Sequence, residues 1–199
     1  MKSLVVALAL VTSAATPAAA PRQHQQPTAE QKTAMAEQLQ PGAPHRELAT
    51  LEGQWTQEVT YNMGARPMKG RGTTTNRMIL GGRFLVSERT SMTAAGATGG
   101  FKVDAMSIYG FDRRTNEYTI VELDTMGTYW VTAAGAPRED KSIVMSGETL
   151  DDHGGAREMR TYDMVLRVID ADTYVTEIIF KFAGRPPAKL VETLHRRIK

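Results

Sequence analysis

Four charged side chains stand inside apolar, strand-like runs. Arg77 precedes "MILGG", Glu88 follows "FLVS", Asp124 ends "YTIVELD" and Glu192 lies in "LVETLH". A charge withdrawn from water is expensive unless it is paired, so each position is informative. Two chemistries follow if these side chains face inward. One is a polar grip at the end of an otherwise apolar pocket, with Arg77, Glu88 or Asp124 reading the polar end of a ligand. The other is proton transfer, with Asp124 or Glu88 as a general base in an apolar cavity. The structural alternative is simple pairing, such as Arg77 with Glu88 across the "LGG" turn, with the remaining charges facing solvent.

Other chemistry is sparse. The chain has no cysteine, which excludes disulfides, thiolate metal sites and a cysteine nucleophile. It has no Gly-x-Ser-x-Gly, no His-Glu-x-x-His and no P-loop. Asp151, Asp152 and His153 in "DDHGG" are metal-ligand types, but in a turn they read as a solvated loop, so no metal is expected. His24 falls in a polar leader, and His195 falls in the last strand-like run, where a surface position is expected.

The elements that must position these residues alternate with period two. From Gly53, Trp55, Val59 and Tyr61 share one face, while Thr56, Glu58 and Thr60 share the other. Similar runs are predicted at about 70–79, 84–93, 101–112, 117–124, 126–133, 142–148, 158–169, 173–182 and 189–197. Turn chemistry separates them, as in "GG" at 81–82, "DRRTN" at 112–116 and "DADT" at 170–173. About ten strands with short links and no intervening long helix imply an all-β antiparallel meander. Closure into a barrel removes its exposed edges. Ten strands make a barrel wide enough to hold a small-molecule cavity.

Three segments precede or form this unit. Residues 1–20, "MKSLVVALALVTSAATPAAA", have Lys2, an apolar run to Leu10 and small residues suited to cleavage, which is the layout of a secretory signal peptide. Residues 21–44 form a flexible leader with a weak helix opened by a Thr28–Gln31 capping box. Residues 45–199 form the barrel domain, beginning with a short helical turn at 45–51. Export to the periplasm or medium is therefore expected. The apolar run of the signal is too short to anchor the chain in a membrane. A net charge of +2 with interspersed signs leaves no footprint for nucleic acid.

"LEGQW" ends the helical turn and begins the first strand. Gly53 permits the tight change of direction and Trp55 closes the barrel floor. Gly-x-Trp at this place resembles the lipocalin and wider calycin pattern. That resemblance implies an arginine from the last strand over the tryptophan, for which Arg196 and Arg197 are the candidates. Calycin-like haem proteins place a late-barrel histidine on iron, and His195 would take that role here. However, "GQWTQEV" lacks the second glycine-rich turn of such proteins, so no cofactor is expected. A closer resemblance spans residues 41–197. "PGAPHREL…LEGQW", "RMILGGRFLVSE", "YGFDRRTNEYTIVELDTMGT" and "RVIDADTY" are similar to an exported bacterial family, domain of unknown function 1579. It implies a lipocalin-like barrel and carries no established activity or catalytic residues.

Function is expected from the interior. Met78, Met106, Met126 and Met164 are adaptable lining candidates for a small hydrophobic ligand. Trp130 and Tyr129 fall on opposite faces of one predicted strand. Trp130 shares its face with Met126 and Thr128 and is the expected lining residue. The competing expectations are the carboxylate enzyme and a packed structural envelope barrel without a ligand.

Overall fold

The computed structural model describes residues 26–93, 100–151 and 157–199. The signal-like segment, His24, Asp152 and His153 lie outside the described residues, as does the side chain of Asp151. Two short helices, α1 (Ala29–Gln38) and α2 (Ala43–Ala49), precede ten strands. The strands are β1 (Gly53–Tyr61), β2 (Met68–Ile79), β3 (Phe84–Thr93), β4 (Lys102–Asp112), β5 (Glu117–Asp124), β6 (Trp130–Pro137), β7 (Ile143–Asp151), β8 (Glu158–Asp170), β9 (Thr173–Lys181) and β10 (Ala188–Arg197). Each strand pairs antiparallel with the next, and β1 pairs with β10, closing the barrel. Closure removes the outer edges of the sheet, although β6 and β7 pair only between 134–137 and 143–146.

The local sequence explains the helices. Thr28 caps α1 and forms the reciprocal box with Gln31. α1 buries none of its residues and is held to the barrel by arginines at its C-terminal carbonyls. Arg83 donates to the Leu39 carbonyl at 2.7 Å, and Arg113 donates to the carbonyls of Glu37 and Gln40. Pro44 stands in the first turn of α2, where a missing N–H is tolerated. α2 buries His45 and Leu48, and His45 Nδ1 accepts from the Gly42 N–H at 3.0 Å.

One strand is displaced from its predicted position. β6 runs over Trp130–Pro137 rather than 126–133. The Asp124 carboxylate accepts the Met126 N–H at 2.8 Å, so the chain turns immediately after β5. Residues 125–129 therefore belong to the turn and carry no strand alternation.

The meander gathers the turns at two ends. The turns after β2, β4, β6 and β8 lie at the end covered by α2 and Trp55, and those after β1, β5 and β9 lie at the other, where β3 and β7 also end. The larger core cluster fills the α2 end with Leu48, Leu51, Trp55, Leu85, Ile120 and Tyr174 among others, and extends along the barrel to Met145, Tyr162 and Met164. A smaller cluster of Val59, Tyr61 and Val103 lies nearer the opposite end.

Candidate functional site

The closed end is a stack of rings. Trp55 is 1% exposed, and its Nε1 donates to the Leu51 carbonyl at 3.0 Å. The Arg197 guanidinium lies 4.0 Å from the Trp55 ring centre. The same guanidinium donates to the carbonyls of Glu52 (2.6 Å), Thr50 (2.8 Å) and Ala171 (3.0 Å), tying the chain before β1 to the last strand. Tyr174 meets Trp55 edge-on at 4.7 Å and lies flat on His195 at 4.0 Å. Gly53, at φ 122, makes the turn into β1 in a backbone conformation that side chains disfavour. Gly53, Trp55 and Arg197 thus stand together at the closed end. Arg196 does not join them. Its neighbour occupies the inward position, so Arg196 faces outward and meets Glu58 at 3.5 Å.

His195 is not a surface residue. It is 1% exposed, with Nδ1 3.2 Å from the Thr74 hydroxyl and Nε2 3.3 Å from the Thr176 hydroxyl. Burial, assisted by the Arg89 charge, pulls its pKa from 6.5 down to about 3, so it is neutral at ordinary pH. Both ring nitrogens are engaged and one ring face is covered, so the residues present do not offer haem iron a free axial nitrogen.

Beyond this stack the barrel is hollow. A cavity of about 480 Å³ occupies its other half. Gln57, Arg89, Tyr109, Glu122, Thr176 and Thr193 are among the lining residues nearest the closed end on their strands, and with Met145 of β7 and Leu166 of β8 they make a largely polar floor. Arg89 and Glu122 form a buried ion pair at 2.8 Å, and Ser107 donates to the other Glu122 oxygen at 2.8 Å. Burial alone would weaken the hold of Arg89 on its proton, but the adjacent Glu122 charge reverses this and raises its pKa. Burial pushes the neighbouring Tyr109 phenol up to about 12, so it remains protonated. Gln57 reaches across β2 to donate to the Thr90 carbonyl at 2.9 Å. It can do so because residue 72 is glycine. A Cβ there would lie 1.8 Å from the Thr90 oxygen and 2.8 Å from the Gln57 amide nitrogen.

The wall above the floor is largely apolar, with Val59, Val103, Val131, Met164, Ile178 and Phe180. Met63, Asp124, Met126, Tyr129, Arg160 and Phe182 lie toward the open end. Arg160 lies 4.8 Å from the Phe182 ring centre and 3.3 Å from Glu158.

The residues expected from the sequence separate into two groups. Asp124, Met126 and Met164 border the cavity. Trp130 does not: it is 69% exposed on the outer surface, directly opposite Leu123 of β5, and Tyr129 borders the cavity instead. The turn at 125–129 breaks the alternation that had aligned Trp130 with Met126. Arg77 and Glu88 also lie outside the cavity lining, 3.9 Å apart and about half exposed on the outer face of the β2–β3 pair. The general-base reading therefore loses Glu88. Met106 lies opposite Glu88 on the outer face, and Met78 packs against the core. Glu192 pairs with Lys189 at 2.6 Å.

The sequence reading missed Arg89 and Glu122. The period-two rule reaches both: Arg89 alternates with Leu85 and Ser87, and Glu122 with Tyr118 and Ile120. Arg89 is flanked by the polar Glu88 and Thr90 and Glu122 by the apolar Val121 and Leu123, so neither charge stands out as inward from its immediate neighbours. Among the described residues, no group of three or more histidine or carboxylate ligands is arranged to hold a metal.

A family model described as "Protein of unknown function (DUF1579)" matches residues 40–197. No curated protein matches the sequence. Among solved structures, an S-type phycobiliprotein lyase, CPES, from Guillardia theta superposes with a TM-score of 0.50 at 10% identity, covering 83% of this chain and 97% of that one. A de novo designed fluorescence-activating β-barrel gives a TM-score of 0.40 at 13% identity, covering 76% of this chain and 96% of the design. At these identities the likeness concerns the fold.

Proposed function

We propose a binding role for this chain, which belongs to the DUF1579 family of proteins of unknown function: an exported barrel that takes up a small hydrophobic ligand. The observation that carries the reading is the cavity of about 480 Å³ with a mostly apolar wall over a polar floor. Such a combination suits a ligand that buries an apolar body and uses a few polar contacts for orientation. A hollow interior also weighs against the packed structural barrel, because protein interiors otherwise fill to crystal-like density.

Isothermal titration of the mature protein with decanol and retinol tests the reading. Saturable binding to one site is expected. It should disappear in Met164→Trp, which fills the wall, while the thermal unfolding transition is retained. No binding of either probe by the folded protein would overturn it. Export rests on the layout of residues 1–20. Terminal sequencing of protein from its own host is expected to find the mature end between residues 15 and 21, and an intact Met1 would contradict it.

A further inference from the structure

The cavity is lined by several ionic groups, and among the described residues all but one have a counter-ion. Arg89 holds Glu122 at 2.8 Å, Glu177 is paired with Lys189, and Arg160 lies against Glu158 at 3.3 Å. Asp124 borders the cavity and has no cation within ion-pair distance among the described residues. Its Oδ1 accepts the Met126 N–H at 2.8 Å, the contact that starts the turn.

The strand register makes this imbalance informative. Arg89 and Asp124 both lie opposite Ala105, one on each side of β4, so they sit at the same level of the sheet. Glu122 lies one pleat nearer the closed end, opposite Ser107. Arg89 bonds the deeper carboxylate and leaves the one at its own level open to the cavity. The floor is complete without a ligand: among the described residues, the only buried side-chain polar atom lacking a partner is Asn76 Oδ1, which lies in the closed-end packing rather than in the cavity lining. The open carboxylate thus sits nearer the mouth than the floor, with the Tyr129 ring and the Met126 thioether among the lining residues that follow it.

Resting on the binding role proposed above, we infer that the ligand is an amphipathic cation: an apolar body against the wall and a protonated amine held by Asp124. A carboxylate supplies charge-assisted hydrogen bonds to an ammonium, and a nearby aromatic face and sulfur accept its positive surface. The amine keeps partial access to water near the mouth, so its desolvation is incomplete. The tail descends toward a floor that already satisfies itself.

Decylamine, decanol and decanoate share one chain length and differ in the head. Titration of the mature protein at neutral pH, below aggregating concentrations, reads their relative affinities. The amine is expected to bind at least about tenfold more tightly than the alcohol, and the acid more weakly than the alcohol. In Asp124→Asn, whose fold is checked by its thermal transition, the amine-to-alcohol ratio is expected to fall to within about twofold of one. Equal binding of amine and alcohol by the unaltered protein overturns the inference while leaving the hydrophobic site intact. Preference for decanoate overturns it in favour of Arg160 as the reader of an anionic head. A ratio that survives Asp124→Asn overturns the assignment to this carboxylate. Failure of all three probes, with retinol also unbound, removes the binding role itself.

Discussion

At the scale of single residues, the closed end shows how a few side chains hold the barrel. Trp55 is sealed between the Arg197 guanidinium and the edge of Tyr174, with its N–H satisfied by Leu51. Trp55→Ala would leave a large hole beneath α2 and is expected to cost roughly 3–5 kcal/mol, measured by denaturant unfolding. A loss below about 1 kcal/mol would contradict the anchoring role. His195 supplies a second test through pH. Its folded pKa, about 3, lies below the ordinary 6.5, so between these values the unfolded chain binds the extra proton. Its contribution is fully present above pH 6.5 and is lost as pH falls toward 3, with a slope of up to about 1.4 kcal/mol per pH unit. Unfolding measured from pH 7 to pH 4 should show this acid weakening. In His195→Gln the slope should drop by about one proton, and an unchanged slope would mean that the imidazole titrates normally.

At the scale of elements, the strands were legible because their chemistry is local. Alternation from Trp55 through Tyr61 and the turn residues of "LGG" and "DRRTN" place β1 to β5 within a few residues. The capping box at Thr28 likewise marks the start of α1. The displacement of β6 has an equally local cause, but it needs a three-dimensional contact to see: the Asp124 carboxylate folds back onto the Met126 N–H. After the turn that this hydrogen bond opens, Trp130 stands on the outer surface and Tyr129 at the cavity. Arg89 and Glu122 were hidden for another reason. Their pairing spans β4, and a sequence does not record which of two inward carboxylates an arginine will choose. The same limit applies to Gly72, which reads as an ordinary strand glycine yet marks the place where Gln57 crosses to β3. Gly72→Ala would push a Cβ into the Thr90 carbonyl, so β2 and β3 must separate locally or Gln57 must withdraw. A stability loss of about 1–3 kcal/mol is expected, with faster amide exchange along the β2–β3 pair. An alanine variant as stable as the parent would show that the floor does not depend on this close approach.

At the scale of the whole molecule, the barrel divides its labour along its axis. The α2 end carries the larger cluster of buried residues, the ring stack and the arginine ties, while the other half encloses open volume. Local stability should follow that division, because segments with fewer buried contacts open at lower free energy. Amides near Trp55, Ile120 and Tyr174 are expected to exchange close to the global unfolding limit. Those around Tyr61, Asp124 and Phe180 should exchange faster in the free protein. A ligand seated in the cavity binds only the folded state and so raises its stability by mass action, by about 2.7 kcal/mol at a hundredfold excess over Kd. The added protection should be concentrated in the half that contains the cavity, since the closed end is already near its limit. Hydrogen exchange followed by mass spectrometry, with and without the tightest of the tested probes, reads both effects. Uniform protection along the barrel in the free protein would contradict the axial division. A rise in melting temperature without extra protection around the cavity would place the probe elsewhere on the molecule.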